Sequence, residues 1–147
     1  MKPLFISAVL LAFACKGLSA ADSAPSPALA LSSGVIHWDK IVLQPTKTGA
    51  RTVVFDGPTA TLDKFHCHVS TLNPGESTGA PHRHPQEELV ILKEGTLEVD
   101  IDGKIAIAET GSMIFYSANE LENMRNPGKG PATYYVLQFF TPATPKD

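Results

Sequence analysis

From residue 34 onward, the chain is a succession of short β-type segments, and this succession most constrains the fold. The segments are rich in β-branched and aromatic residues, with Gly, Pro, Asn or Asp between them. The predicted strands cover residues 35–38, 40–43, 51–55, 64–72, 89–93, 96–101, 104–108, 113–116, 122–125 and 132–140. Asp102-Gly103 is typical of a two-residue hairpin turn. Because no segment has a helical period, we predict an all-β barrel or sandwich.

The strand predicted over residues 64–72 carries polar and apolar residues in alternation. Cys67 and Val69 lie on one face, and His66 and His68 lie on the other. The histidine face either lines the interior, where it could position a substrate or transfer protons, or it points outward. Because Cys67 and Val69 are the better core residues, we expect the histidines to point outward or into a subunit contact.

A cluster of residues suited to metal binding begins at His82. Alternate residues of an extended strand share a face, so His82, His84 and Glu88 can project to one side. Two imidazole nitrogens and one carboxylate on a common face form a partial metal site. A pair of histidines alone would be a weak indication, because surface histidines are common. The addition of Glu88 and of a turn glycine at Gly95 makes the pattern specific.

The spacing H-x-H-x3-E-x6-G resembles the first sequence motif of the cupin family, over the stretch PGESTGAPHRHPQEELVILKEG at residues 74–95. The resemblance implies a double-stranded β-helix, the cupin or jelly-roll barrel, as a single domain. We expect this domain to occupy residues 34–147, with its motif-bearing core at about residues 60–140. The resemblance also implies that His82, His84 and Glu88 are metal ligands.

The second cupin motif is present in an altered form. Gly111 and Asn126 hold their places, whereas Ser117, Asn119 and Glu122 stand where the family has proline, glycine and histidine. The resemblance implies a fourth ligand at Glu122, because a carboxylate can also bind a divalent metal. Such a nitrogen and oxygen set suits iron, manganese or zinc as the metal cofactor. In the alternative, Glu122 is a solvated residue at a strand end and takes no part in binding.

The amino-terminal segment has the features of an export signal. Residues 1–21 combine a charged start, a short apolar run and a small-residue exit, so we predict a signal peptide cleaved after Ala21. The apolar run is too short to span a membrane. Cys15 raises the alternative of a lipoprotein, but Phe13 is bulky where a lipidation motif needs a small residue, so we favour a periplasmic or secreted protein. Residues 22–33 are predicted to be a flexible lead-in.

Charge and cysteine content limit the partners of the mature chain. Cleavage removes Lys2 and Lys16 and no acid, which leaves 10 basic and 15 acidic residues and a net charge of −5. This balance argues against nucleic acid and anionic membrane surfaces. The mature chain keeps only Cys67, so it forms no internal disulfide and depends on its core for stability.

Two functional classes fit these features. In the first, the protein is a metal-dependent enzyme of the dioxygenase, isomerase or hydrolase type that acts on a small organic molecule, with Glu122 as a ligand or a general base. In the second, it is a non-catalytic module that binds a small ligand or the metal itself. Fold alone does not choose between them. We expect a homodimer in either case, because pairing covers exposed edge strands.

Overall fold

The computed structural model describes residues 30–145, and these form two antiparallel β-sheets, which confirms the predicted all-β jelly-roll fold. The predicted signal peptide and most of the lead-in lie outside the described residues. The strands are β1 (Gln44–Pro45), β2 (Gly49–Gly57), β3 (Lys64–Leu72), β4 (Glu87–Glu94), β5 (Thr96–Ile101), β6 (Lys104–Glu109), β7 (Met113–Tyr116), β8 (Glu122–Arg125) and β9 (Ala132–Phe140). Among residues 30–145, no helix is long and apolar enough to cross a membrane.

The larger sheet has six strands in the order β1-β2-β3-β9-β4-β7, and the smaller has the order β6-β5-β8. The last strand, β9, therefore lies in the middle of the larger sheet, between β3 and β4. Apolar side chains from both sheets meet in one core, in which Val90, Leu92, Leu97, Val99 and Tyr116 are almost fully buried. The two sheets thus pack face to face, as the alternating apolar pattern requires.

Two turns follow the sequence prediction closely. Asp102 and Gly103 both have positive φ, +48° and +82°, and join β5 to β6 as the predicted hairpin turn. Gly95 has φ +92°, and a Cβ there would lie 2.6 Å from the carbonyl oxygen of Pro131. The turn between β4 and β5 therefore requires glycine for both conformation and space.

The two strands predicted over residues 35–38 and 40–43 are wrong. Trp38–Lys40 forms a single turn of 3-10 helix, and the only pairing nearby is that of β1 with β2. The Trp38 ring instead packs edge-on against Tyr135, with ring centroids 6.0 Å apart, and Lys93 Nζ lies 4.0 Å from the Trp38 centroid. This segment covers the outer face of the larger sheet through side chains and adds no strand to it.

The expectation that His66 and His68 point outward is also wrong. His68 is buried and lines a pocket together with Ser70, on the inner face of β3. Cys67 and Val69 are buried as well, because the outer face of the sheet is covered near Tyr135, the register partner of Val69. Both faces of β3 are thus shielded from solvent, and the polar face is the one that faces the interior.

Candidate metal centre

Backbone hydrogen bonds bring the two motif segments together. The amide and carbonyl groups of His82 and Glu122 exchange two hydrogen bonds of 3.0 and 2.9 Å, and the Asn119 amide donates to the His84 carbonyl. The histidine segment therefore lies beside β8 as a short antiparallel bridge. This pairing places residue 122 next to both histidines although about 40 residues separate them in the chain.

Two asparagines of the second motif support this arrangement. Asn119 has φ +62°, so it takes the left-handed conformation for which the family pattern uses glycine. Asparagine tolerates that conformation better than most residues, which explains why this departure preserves the turn. Asn126 is fully buried, and its side-chain amide donates to the carbonyl groups of Leu72 and Gly130. Asn126 thereby holds the loop that follows β8.

Donor atoms of three predicted ligands converge around His84. Its Nε2 lies 3.2 Å from Glu122 Oε1 and 3.4 Å from Glu88 Oε2, and one donor atom from each of the three residues lies within 4.8 Å of the others. The fourth, His82, places its Nε2 3.5 Å from Glu122 Oε1. Its side chain is 49% exposed, so the cluster is buried on the carboxylate side and open to solvent at His82.

The hydrogen bonds of the two imidazoles orient the same ring atom toward the cluster. Nδ1 of His84 donates to the Gln86 carbonyl at 2.7 Å, and Nδ1 of His82 donates to the Ala80 carbonyl at 3.3 Å. Because each Nδ1 is engaged, Nε2 is the ring atom that each histidine presents to the carboxylates. Metal-binding histidines commonly use such a backbone hydrogen bond to set ring orientation.

Glu88 is oriented by a residue that the sequence pattern did not identify. Gln138, opposite Glu88 in the β4 to β9 register, donates from Nε2 to Glu88 Oε2 at 2.7 Å. Glu88 is 4% exposed, so burial and the hydrogen bond from Gln138 together fix the conformation of its carboxylate. Only the strand register could have identified Gln138, because its distance from the motif in the chain is 50 residues.

The cluster attracts positive charge strongly. Hydrogen bonds that His84 donates to Glu122 and then to Glu88 raise the pKa of His84 to about 10, against the opposing effect of burial. Glu122 and Glu88 thus stabilise the positive charge of a protonated His84. A bound cation at the same place would be stabilised in the same way. In addition, Glu122 Oε2 is buried without a hydrogen-bond partner among the described residues. A buried carboxylate oxygen without a partner is costly, and a bound cation would satisfy it.

Glu122 is not the solvated strand-end residue of the alternative interpretation, because only 5% of its surface is exposed. Its carboxylate also influences Tyr116, the register partner of Glu88, whose hydroxyl is buried without a hydrogen-bond partner among residues 30–145. Burial first, and then the charges of Glu122 and Glu88, raise the pKa of Tyr116. Tyr116 therefore stays neutral beneath the cluster.

A pocket of about 350 Å³ opens beside the carboxylates. His82, Glu88 and Glu122 form one part of its lining, and Arg51 and His68 form another. His68 was a candidate from the strand pattern, whereas Arg51 was not, because it lies on β2, outside both motifs. A half-open pocket of this size beside the carboxylates is suited to a small molecule.

Comparisons with known proteins agree with this geometry at the level of the fold. Residues 68–138 match the family described as "Cupin domain". No curated protein matches the sequence significantly.

Several solved structures share the fold at low sequence identity. An RmlC-like cupin from Shewanella frigidimarina NCIMB 400 is 15% identical, with a TM-score of 0.61 over 76% of this chain and 95% of that one. The polyketide cyclase RemF from Streptomyces resistomycificus is 17% identical, with a TM-score of 0.60 over 74% and 80%. The Cupin_2 domain of an XRE family transcriptional regulator from Enterobacter cloacae is 21% identical, with a TM-score of 0.56 over 65% and 99%. An enzyme and a regulator domain are therefore both built on this architecture.

Proposed function

We propose that this member of the cupin superfamily binds one divalent metal ion through His82, His84, Glu88 and Glu122 and acts as a metal-dependent enzyme on a small organic molecule. The observation that carries the proposal is the convergence of donor atoms from His84, Glu88 and Glu122 within 4.8 Å of one another, with Nε2 of His84 between two carboxylates. Nitrogen and oxygen donors of this kind suit iron, manganese or zinc.

The chemistry of the donor set fits such an ion. Two negative carboxylates balance the charge of a divalent metal, and the unpartnered Oε2 of Glu122 gains a partner. When bound, the metal supplies Lewis acidity or, in the case of iron, the capacity to react with dioxygen. Glu88 stays fixed through its hydrogen bond from Gln138, and the two histidines stay fixed through their Nδ1 groups.

The pocket gives these residues access to a substrate. His82, Glu88 and Glu122 line it, so an oxygen-bearing group of a small molecule can approach the metal from that side. Glu122 has a second role open to it, as the base that accepts a proton from the bound molecule. The exposed side of the cluster at His82 provides the path for water.

A second candidate is a non-catalytic module that holds the metal or a small ligand. It is favoured by Glu122, which replaces the histidine of the family pattern, and by the regulator domain among the structural neighbours. The two candidates share the metal site and differ in turnover. We further propose that the protein is exported and that it forms a homodimer. In support, Ile105, Ile107, Met113 and Phe115 are large apolar residues exposed on β6 and β7.

Metal analysis of protein purified from its native compartment tests the proposal. We expect about one divalent ion per chain, and we expect His82→Ala combined with His84→Ala to abolish binding. His37→Ala serves as the control, because His37 is an exposed histidine remote from both motifs. Wild-type metal content in the double variant would refute the site. Dioxygen uptake and isomerisation assays on the loaded protein then separate the enzyme from the module.

A further inference from the structure

Arg51 is the one arginine of the chain whose charge is unmatched in the described structure. Arg83 pairs with Asp102 and Arg125 pairs with Glu98. In contrast, no carboxylate among residues 30–145 lies within ion-pair distance of Arg51, although its guanidinium faces the pocket that also holds Glu88 and Glu122. A guanidinium has five donors arranged to bind a carboxylate through two parallel hydrogen bonds.

Among residues 30–145, the single side-chain hydrogen-bond partner of Arg51 is His68, and this contact fixes the tautomer of His68. Arg51 Nη2 lies 3.1 Å from His68 Nδ1. Arginine can only donate, so Nδ1 of His68 accepts and the ring proton resides on Nε2. His68 stays neutral in this environment, because burial and the neighbouring Arg51 lower its pKa to about 4. His68 therefore adds a neutral N–H donor beside the arginine.

A further pair of residues supports His68 from the direction of the surface. His66 lies beside His68, and its Nδ1 donates to Asp56 Oδ1 at 3.0 Å. The rings of His66 and His68 lie 5.3 Å apart, so each limits the rotation of the other. Asp56 and His66 are thus positioning residues that hold His68 in place beside Arg51.

The pocket combines this donor pair with the candidate metal centre. Glu88 and Glu122 together carry the charge that one divalent ion neutralises, so the loaded pocket retains the single positive charge of Arg51. No lysine and no other arginine lines the pocket in the described part of the chain. The pocket volume of about 350 Å³ lies near the lower end of the range for ligand pockets, about 300 to 1,000 Å³, so the ligand is small.

We propose that Arg51 and His68 form an anion subsite for the carboxylate of a small organic acid whose other oxygen-bearing end reaches the metal centre. The inference rests on the proposed function for the metal end of the ligand, whereas the Arg51 end stands on its own contacts. It narrows the substrate class from small organic molecules to small carboxylic acids with a second oxygen function.

Binding titrations on the zinc-loaded protein test the subsite. The probes are malonate, succinate and glutarate, each compared with its neutral diamide, and heat of binding is measured for each. We expect at least one diacid to bind and Arg51→Gln to weaken it by about 10- to 100-fold, the range for a lost hydrogen bond to a charged group. Arg51→Lys keeps the charge without the planar fork, so we expect an intermediate loss.

Arg125→Gln is the matched control, because it removes an arginine paired with Glu98 on the other sheet, outside the pocket. Diacid affinity should be unchanged in this variant, and zinc content should be unchanged in all of them. Three results would overturn the subsite: no diacid binds, Arg51→Gln binds within twofold of wild type, or the diamides or inorganic sulfate bind as tightly as the diacids.

Failure of the metal proposal gives a separate signature. If the wild-type protein takes up no zinc, the proposed metal function fails. Acetate titrated into the metal-free protein, with acetamide as its neutral counterpart, then tests Arg51 alone. Weaker acetate binding in Arg51→Gln would support the subsite without the metal. Equal binding of acetate and acetamide would refute it.

Discussion

Replacement of Glu122 by glutamine removes one negative charge from the centre of the candidate site with little change in size. Glu122 is 5% exposed, and its Oε1 lies 3.2 Å from His84 Nε2 and 3.5 Å from His82 Nε2. The amide keeps the backbone bridge to His82, because that bridge uses only main-chain atoms. Any loss of metal affinity in Glu122→Gln therefore reports the carboxylate.

The size of this loss follows from the electrostatics of His84. Its pKa of about 10, against an ordinary 6.5, corresponds to about 5 kcal/mol of preference for one positive charge, at 1.36 kcal/mol per pH unit. Glu122 is the largest cause of this preference, and removal of one partner from a buried charge pair costs about 3 to 5 kcal/mol. Water that enters from the open side at His82 screens part of this electrostatic attraction. We expect affinity to fall at least about 100-fold, at 1.4 kcal/mol per tenfold.

Competition with a chromogenic chelator measures zinc and manganese affinity at fixed pH. The control is Glu87→Gln, which removes the same charge from an exposed residue adjacent to Glu88, where screening should limit the change to about twofold. Glu122→His should retain or raise affinity, because it supplies the nitrogen ligand of the family pattern. If Glu122→Gln binds both metals within about twofold of wild type, Glu122 is not a ligand and the site has three protein donors.

Three further predictions concern pH, export and assembly. The pKa of His68, lowered by burial and then by Arg51 to about 4, makes the unfolded chain the better proton acceptor, so the free energy of unfolding should fall as pH drops from 6.5 to 4. The fall should reach about 3 kcal/mol, at 1.36 kcal/mol per pH unit, and should be smaller in His68→Gln. Urea unfolding measures it, and equal falls in the two proteins would contradict the lowered pKa of His68. Mass spectrometry of exported protein should give a chain that begins at Asp22, whereas a lipidated chain that begins at Cys15 would establish a membrane anchor. Light scattering should give the mass of a dimer at micromolar concentration, and a monomer mass would remove the predicted assembly.

Most strands were predictable because short runs rich in β-branched and aromatic residues lie between clear turn residues. The hairpin at Asp102-Gly103 could be predicted from the two turn residues alone, and the structure confirms it. The segment before β1 was wrongly predicted to be strand. Its Trp38 packs against Tyr135 and takes part in no strand pairing. A tertiary contact of this kind leaves no period in the sequence.

The site was predictable in its motif residues and not in its surroundings. Strand geometry and the resemblance point to His84 and Glu88, the resemblance alone points to Glu122, and the structure brings the three together. The pocket face of β3 was misread because a polar residue that lines a buried pocket has the same alternation as one that faces solvent. Gln138 and Arg51 lie on strands far from the motifs, so only the strand register reveals them.

The central place of β9 in the larger sheet bears on the order in which the molecule can form during synthesis. The chain emerges from its amino end, so β3 and β4 exist as separate edges until residues 132–140 arrive between them. Until then Glu88 lacks Gln138, its partner across the strands. Because the closing contacts join residues far apart in the chain, their formation is slow compared with local hairpins. We therefore expect the hairpin of β5 and β6 to form early, and the candidate metal centre to reach its final geometry among the last parts of the protein.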